Sequence, residues 1–507
     1  MGTSVASSLC VRLEPHVRGS LQERIYGEIR GAILDGILVP GTRLPSSRTL
    51  AADLDVSRTT TLLAFERLIA EGYLSARPGS GTFVAGELPD DLLHGRISRR
   101  QGASNHPPMS RRGAALASTP RVAWRLGGPP RAFRIGTPAL DLFPARLWTQ
   151  LVNRRLRSVT LAQLDYGDAA GIPSLREAIA MHIQVARGTE CDPDQIVVVA
   201  GAQCGLELAC RMLLDPGDGA WLEEPGYPGA RNALVGAGAR IVPVRVDQDG
   251  LDVEAGARQA GDARLAYVTP SHQFPLGVPM SLARRLALLR WATRAQAWVI
   301  EDDYDGAFRY STRPVPCLHG LDADERVIYV GSFSKTLFPA LRLGFLIVPR
   351  GLREPFLAMR RSAPASPPLL DQLVLADLMS DGHFDGHLRR MRAAYRERLE
   401  SLVDAADRYC RGALRLRPVR TGLHAVADLE DVDAESVFDE AAARGVEVMP
   451  LSAYYAERPS GANGLVLGFG AVRGEELFQG MEQLAAAIDA ARRPTAFGGR
   501  RRNRTAQ

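Results

Sequence analysis

Apolar residues recur at helical spacing near the start of the chain. Leu21, Ile25, Ile29 and Ile33 share one face of a helix predicted over 21–36. Pro40-Gly41 marks a turn. Ser46 is placed to cap a short helix running through Leu54, and Ser57 to cap a third from Arg58 to Glu71, with Leu63, Leu68 and Ile69 among its apolar positions. Gly72 to Ser75 and Thr82 to Val84, separated by the turn residues Arg77 to Gly81, read as a small hairpin. Three short helices followed by a hairpin is the pattern of a winged helix-turn-helix. From 86 to about 135 Pro, Gly, Ser and Arg dominate and no period holds. A structureless stretch of that length is expected to be an inter-domain linker. From about 141 helical patterns alternate with β-rich runs at 195–200, 220–223, 240–244, 265–269, 297–301 and 327–331. That alternation predicts an α/β domain with a mainly parallel sheet. The expected organisation is a front domain over 15–86, a linker over 87–135, a large domain over 136–492 and a tail over 493–507.

A length of 507 residues, 46% apolar and 23% charged, suits several folded units and excludes wholesale disorder. No apolar run reaches the roughly 18 residues of a membrane span, so no membrane partner is expected. Residues 1–20 lack an apolar core of signal-peptide length, so secretion is not expected. Six cysteines without a CxxC pair speak against a disulfide framework and against a bound metal, and the expected compartment is a reducing cytoplasm.

Charge is segregated. The net of +5 combines a nearly neutral front (+1 over 1–86), three acids over 87–91, nine Arg and no acid over 92–140, an acidic body (−8 over 141–491) and six Arg without an acid over 492–507. The strip and tail read either as solvated chain or as a source of salt-sensitive attraction to a polyanion. Of 62 basic residues 61 are arginine and one, Lys335, is lysine. A bias towards Arg removes Lys wherever Arg will serve. It spares Lys where chemistry needs a primary amine that can lose its proton.

The stretch LPSSRTLAADLDVSRTTTLLAFERLIAEGYLSARPGSGTFV resembles the DNA-binding domain of the GntR family of bacterial regulators, over 21–84. That resemblance implies contacts to a double-stranded DNA operator from Arg48, Ser57, Arg58, Thr59, Thr60 and the wing residue Gly79. The physical reading agrees. Ser57 to Thr60 open the third helix, where hydroxyls and backbone N–H groups can meet phosphates and Arg58 can reach guanine edges. Leu62 stands where relatives place a second arginine, so fewer bases are expected to be read.

GSFSKTLFPALRLGF, at 331–345, resembles the lysine segment of fold-type-I aminotransferases, and further segments follow in the expected order: LDYGDAAGIPSLREAI, AGAQCGLELACRMLLDPGD, EEPGYPG, TPSHQFPLG, EDDYDGAFRY and GFGAVRG. With the front domain, this resembles the MocR subfamily of GntR-type regulators. The implied fold is α/β: a winged helix-turn-helix plus a large aminotransferase-like domain with a smaller C-terminal α+β subdomain. The implied cofactor is pyridoxal 5'-phosphate. Lys335 would be the amine that joins its aldehyde, and so the catalytic residue if chemistry occurs. Asp302 would hold the ring nitrogen protonated and Tyr304 would face the ring oxygen. Tyr227 would stack on the ring. Ser332, Ser334, Arg342 and the amides of Ala202 and Gln203 would hold the phosphate. Tyr166 would be a phosphate ligand lent to a partner subunit, which implies a homodimer. Arg473 would grip the carboxylate of a small amino-compound effector. Phe274 takes the place of an asparagine that aminotransferases offer to the ring oxygen, with His272 just before it.

The expected function is a cofactor-dependent transcriptional regulator that senses an amino compound or the cofactor itself. The alternative is an active aminotransferase that carries a DNA-binding head. Phe274 speaks against full catalysis.

Overall fold

The computed structural model describes residues 20–86, 88, 109–119, 128–310, 316–362, 367–456 and 462–492. Contacts divide it into a head, up to Pro107, and a body, from Pro108. The expected tail, 493–507, lies outside the described residues.

The head has three helices and a hairpin. Helix α1 (Leu21–Leu34) starts in a capping box: the Ser20 hydroxyl accepts from the Glu23 N–H, and the Glu23 carboxylate accepts from the Ser20 N–H at 2.9 Å. Ile25, Ile29 and Ile33 are buried as their spacing predicts, but Leu21, at the solvent end of that face, is 46% exposed. Helix α2 (Ser47–Asp53) is capped by Ser46 and helix α3 (Arg58–Ala70) by Ser57. On α3 the core is made by Thr61, Ala64, Phe65 and Leu68, whereas Leu63 and Ile69 face outward. Thr61 holds α2 and α3 together: its hydroxyl, fully buried, lies 2.9 Å from the Ser47 carbonyl and 3.0 Å from that of Arg58. Strands β1 (Leu74–Arg77) and β2 (Gly81–Val84) pair antiparallel and form the wing. Gly79 sits at its tip with φ +74°, a conformation that β-carbons disfavour.

The body is built on eight strands: β3 (Ile196–Val199), β4 (Gly219–Glu224), β5 (Arg240–Asp247), β6 (Gly250–Leu251), β7 (Leu265–Val268), β8 (Trp298–Asp303), β9 (Val327–Ser332) and β10 (Gly344–Ile347). Their order is β3-β10-β9-β8-β7-β4-β5-β6. The central run β5-β4-β7-β8-β9 is parallel, while β10 runs against both of its neighbours. The β-rich runs of the sequence fall on β3, β4, β5, β7, β8 and β9. The central strands are apolar and covered on both faces, as a parallel sheet between helices requires. A second sheet, β11 (Leu414–Leu416), β12 (His424–Leu429), β13 (Met449–Pro450) and β14 (Gly464–Gly468), is antiparallel in the order β11-β12-β14-β13. It packs with helices 383–409, 434–443 and 474–492 into the smaller subdomain that the sequence implied.

The expected linker is corrected in two places. Residues Arg111–Ser118 form a helix, capped by Ser110, which packs on helix Pro228–Ala237 with Leu116 over Gly236. Phe133 is fully buried in the main core of the body, and the Gly468 N–H donates to its carbonyl at 3.0 Å. Structure within the body therefore resumes by 111, well before 135. The helix escaped the pattern because its apolar side rests on one distant partner and none of its residues is fully buried. Among the described residues no helix is long and apolar enough to cross a membrane.

Thr61→Val should destabilise the head by about 1–2 kcal/mol, because the hydroxyl that the part-buried Ser47 and Arg58 carbonyls share is lost while volume is kept. Hydrogen exchange of the α1–α3 amides in the full chain measures it. Unchanged protection would show that Thr61 does not join the two helices.

Candidate functional site

The carboxyl ends of β4, β7, β8 and β9 meet at one edge of the large sheet, where such sheets place ligands. A cavity of about 220 Å³ opens there. Three consecutive acids end β8, and strand alternation separates them. Glu301 and Asp303 point to one face. Glu301 accepts from the N–H groups of Leu318 and His319, both at 2.9 Å, and lies 3.7 Å from Arg285. Asp303 is held by Arg187 and by the Tyr329 hydroxyl, each at 2.5 Å. Asp302 points to the other face, into the cavity. Burial lifts its carboxyl to about 7, although Tyr267 donates to Oδ2 at 2.7 Å. Its Oδ1 is buried without a partner.

Lys335 lies in the loop between β9 and β10 and lines the same cavity. Its Nζ donates to the Gly136 carbonyl. Burial lowers its pKa, against the pull of Asp305 and Asp302, which favours the neutral, nucleophilic amine. The reversal into β10 sets Gly344 opposite Ser332, so one loop presents Ser332, Ser334, Lys335 and Arg342 to the cavity. Arg342 is left-handed, at φ +51°, and its guanidinium carbon lies 3.9 Å from where a Cβ on Gly201 would sit. Gly201, at φ +86°, opens the helix Ala202–Leu213, and no side chain caps that helix. The amides of Ala202 and Gln203 are therefore free of a capping side chain beside two hydroxyls and a guanidinium, a set suited to a phosphate dianion.

The far wall is aromatic and polar. Tyr227, whose hydroxyl burial pushes to about 12, packs edge-on to Phe274 with ring centroids 5.7 Å apart. Tyr304 and His424 also line the cavity. The Tyr304 hydroxyl lies 3.0 Å from His272 Nδ1, which in turn lies 2.8 Å from Asp305 Oδ2. Sequence reasoning noted His272 but missed Asp305, 33 positions away, although its place after Tyr304 in DDYDG was a signal. Gly422, at φ +83°, leaves room for the His272 ring, which a Cβ there would strike. Donor atoms of His272, Asp305 and His424 lie within 4.8 Å of one another, as a metal site would need. His272 Nδ1 is already engaged by Asp305 and Tyr304, and His424 Nε2 faces the Pro275 carbonyl at 3.0 Å. His272 and Asp305 are thus bonded to each other, and His424 to the backbone.

Two expected site residues lie outside the cavity of the single chain, Tyr166 as a residue lent to a partner would. Tyr166 is wholly exposed, in a stretch with Leu161 and Leu164 also exposed. Arg473 does not line the cavity. Its side chain is 73% exposed and is tied to Asp141 at 3.3 Å. Asp141 is shared with the buried Arg398 at 3.0 Å, so Arg473 is the exposed end of an ion network outside the cavity. On the head, Arg48, Ser57, Arg58 and Thr59 are exposed and Thr60 is half-buried. The Ser57 hydroxyl lies 2.8 Å from that of Thr60, which orders the start of α3.

Burial that raises Asp302 to about 7 means that the cofactor-free fold holds a proton that the unfolded chain has released by pH 5. Stability from this residue is complete below about pH 4 and is lost as pH rises through 7. Glu223 and Glu301, also raised to about 7 by burial, act in the same direction. Urea midpoints of cofactor-free protein should fall from pH 5 to pH 8, and fall less in Asp302→Asn. Equal slopes would contradict the burial of this carboxylate.

Comparison with known proteins follows this division. Residues 21–84 match the bacterial regulatory proteins of the gntR family, and 148–462 match the aminotransferase class I and II family. A probable rhizopine catabolism regulatory protein, MocR, of Rhizobium meliloti is 40% identical over 92% of this chain and 94% of its own. The pyridoxine biosynthesis transcriptional regulator PdxR of Corynebacterium glutamicum is 33% identical over 92% and 95%. The crystal structure of LysN, an α-aminoadipate aminotransferase from Thermus thermophilus complexed with N-(5'-phosphopyridoxyl)-L-leucine, superposes with a TM-score of 0.68 at 27% identity, over 76% of this chain and 97% of that one. A GntR head joined in one chain to a class I and II aminotransferase body, with full-length similarity to such regulators, places this protein in the MocR subfamily of the GntR family.

Proposed function

We propose that this protein is a transcriptional regulator whose body binds pyridoxal 5'-phosphate on Lys335 and recognises a small amino compound there, while its head binds a double-stranded DNA operator. One observation carries the cofactor reading. The lone lysine of the chain shares a cavity with a buried carboxylate whose Oδ1 has no partner, and with a phosphate-sized set of donors. A protonated ring nitrogen would satisfy Asp302 Oδ1. Ser332, Ser334, Arg342 and the amides of Ala202 and Gln203 would take the phosphate. The Tyr227 ring would lie along the cofactor ring.

The cofactor, when bound, supplies an aldehyde and an electron-withdrawing ring. The chain supplies the rest. Lys335 offers a neutral amine at its Nζ. Asp302 holds a proton at the ring-nitrogen end. Tyr304, steadied by His272 and Asp305, holds one at the ring-oxygen end. Phe274 gives no hydrogen bond in the place of the expected asparagine, which suits recognition better than turnover. An amine bound beside the cofactor would meet Lys335, Tyr227 and Asp305, and would change what the Lys335 Nζ and the Gly136 carbonyl face. Regulation requires that this change favour one arrangement of the protein over another.

Two copies of the chain would complete the site, with Tyr166 reaching the phosphate of the partner. Its full exposure in the single chain supports that role. The head would read DNA through Arg58 in the major groove, with Ser57, Thr59, Thr60, Arg48 and Gly79 on the backbone.

Protein incubated with pyridoxal phosphate should gain an absorbance band that Lys335→Ala lacks. Amino compounds should shift that band without releasing a keto product. Bleaching that a keto acid restores over many cycles would instead mark an enzyme. Arg58→Ala should weaken operator binding by about 1–3 kcal/mol. Unchanged anisotropy titrations on the operator would remove α3 from the interface.

A further inference from the structure

The effector end of the cavity has the wrong charge for an amino acid. Among the described residues that line it, Lys335 and Arg342 are the lysine and arginine present. Under the function proposed above, Lys335 is engaged with the cofactor. Arg342, beside Gly201, belongs to the phosphate end. Arg473, the arginine expected to hold a carboxylate, is at the surface with Asp141. The chain has no other lysine. A carboxylate that enters a closed site needs a guanidinium or ammonium to replace its water, and none of the cavity's own residues is left to provide one.

The acids do not balance in its favour either. Asp302 is taken by the ring nitrogen. Asp305 remains: it is 2% exposed, lines the cavity and leaves Oδ1 without a hydrogen bond, while Oδ2 is held by His272. A buried carboxylate oxygen without a donor calls for a ligand N–H or O–H. Asp305, Phe274 and Tyr227 line the same cavity, so a ligand there meets a carboxylate and aromatic carbon rather than a cation.

We infer that the effector is a primary amine without a carboxylate, sulfonate or phosphate group, and that a hydroxyl on its carbon skeleton donates to Asp305 Oδ1. The class is the amino alcohols and amino sugars. Asp305 is then a specificity-determining residue, with His272 fixing its orientation.

The inference rests on the cofactor reading, and the experiment separates the two. Full-length protein is loaded with pyridoxal phosphate and titrated with matched pairs that differ only in the acid group: serinol against serine, and ethanolamine against glycine. The band of the bound cofactor and the heat of binding are both followed. The amino alcohols should act at concentrations at least about tenfold below those of the amino acids. Asp305→Asn should shrink that preference about tenfold, while Glu254→Gln, at the surface, should leave it unchanged. Serine acting at or below the concentration of serinol would overturn the inference and leave cofactor binding standing. Equal responses of the two members of each pair would overturn it as well. A protein that takes up no pyridoxal phosphate would remove the cofactor reading, and this inference with it.

Discussion

A carboxylate oxygen sealed from water with nothing to accept from is the constraint on which the body depends. Asp302 is tolerated at the end of a buried strand because its neighbours divide the burden. Glu301 and Asp303 are turned away to Arg285 and Arg187, and Tyr267 bonds one of the two oxygens of Asp302. The remaining oxygen is a standing demand for a cationic donor. The sheet answers by where its strands end. Parallel β7, β8 and β9 bring Tyr267, Asp302 and Ser332 to one edge, and the antiparallel return of β10 folds the Lys335 loop over it. Inverting any one strand would leave the acid buried with no lysine above it.

The second layer of the site depends on close backbone approach. His272 sits against Gly422 and near Gly277, so its ring is wedged between two chain segments rather than held by one. That wedge lets an aspartate from just beyond β8 and a tyrosine from the same turn converge on one ring nitrogen, Nδ1, of a histidine from the β7–β8 connection. It also joins the large sheet to β12, whose first residue, His424, packs with its ring tilted against that of His272, centroids 4.7 Å apart.

Much of this was legible in the chain itself, and the exceptions have physical causes. A lysine that survives in an arginine-biased sequence identifies itself, and Asp302 and Tyr304 follow from strand alternation. Ser57 and Ser46 were legible because caps are local. Leu21, Leu63 and Ile69 were misplaced because helical period locates a stripe but not its edges. Arg473 was misplaced because a residue at a helix start can face either way, and Asp141, 332 positions earlier, decides which. Asp305 was missed for the same reason: its value lies in what it fails to bond, and unpaired atoms leave no period. The helix 111–118 was missed because its partner lies more than a hundred positions away.

That small helix alters the mechanics of the whole chain. Had the arginine-rich strip run free to about 135, some fifty residues would have tethered the head. Docked on Pro228–Ala237, the strip is anchored at its middle, and the part between Gly86 and Arg111 has 24 residues. Fully stretched, such a segment cannot exceed roughly 85 Å at about 3.3–3.6 Å per residue. The anchor is also the helix that begins at Tyr227, in the cavity wall. The covalent connection towards the head thus starts from an element of the cavity wall, so a tilt of that helix moves the point from which its reach is measured.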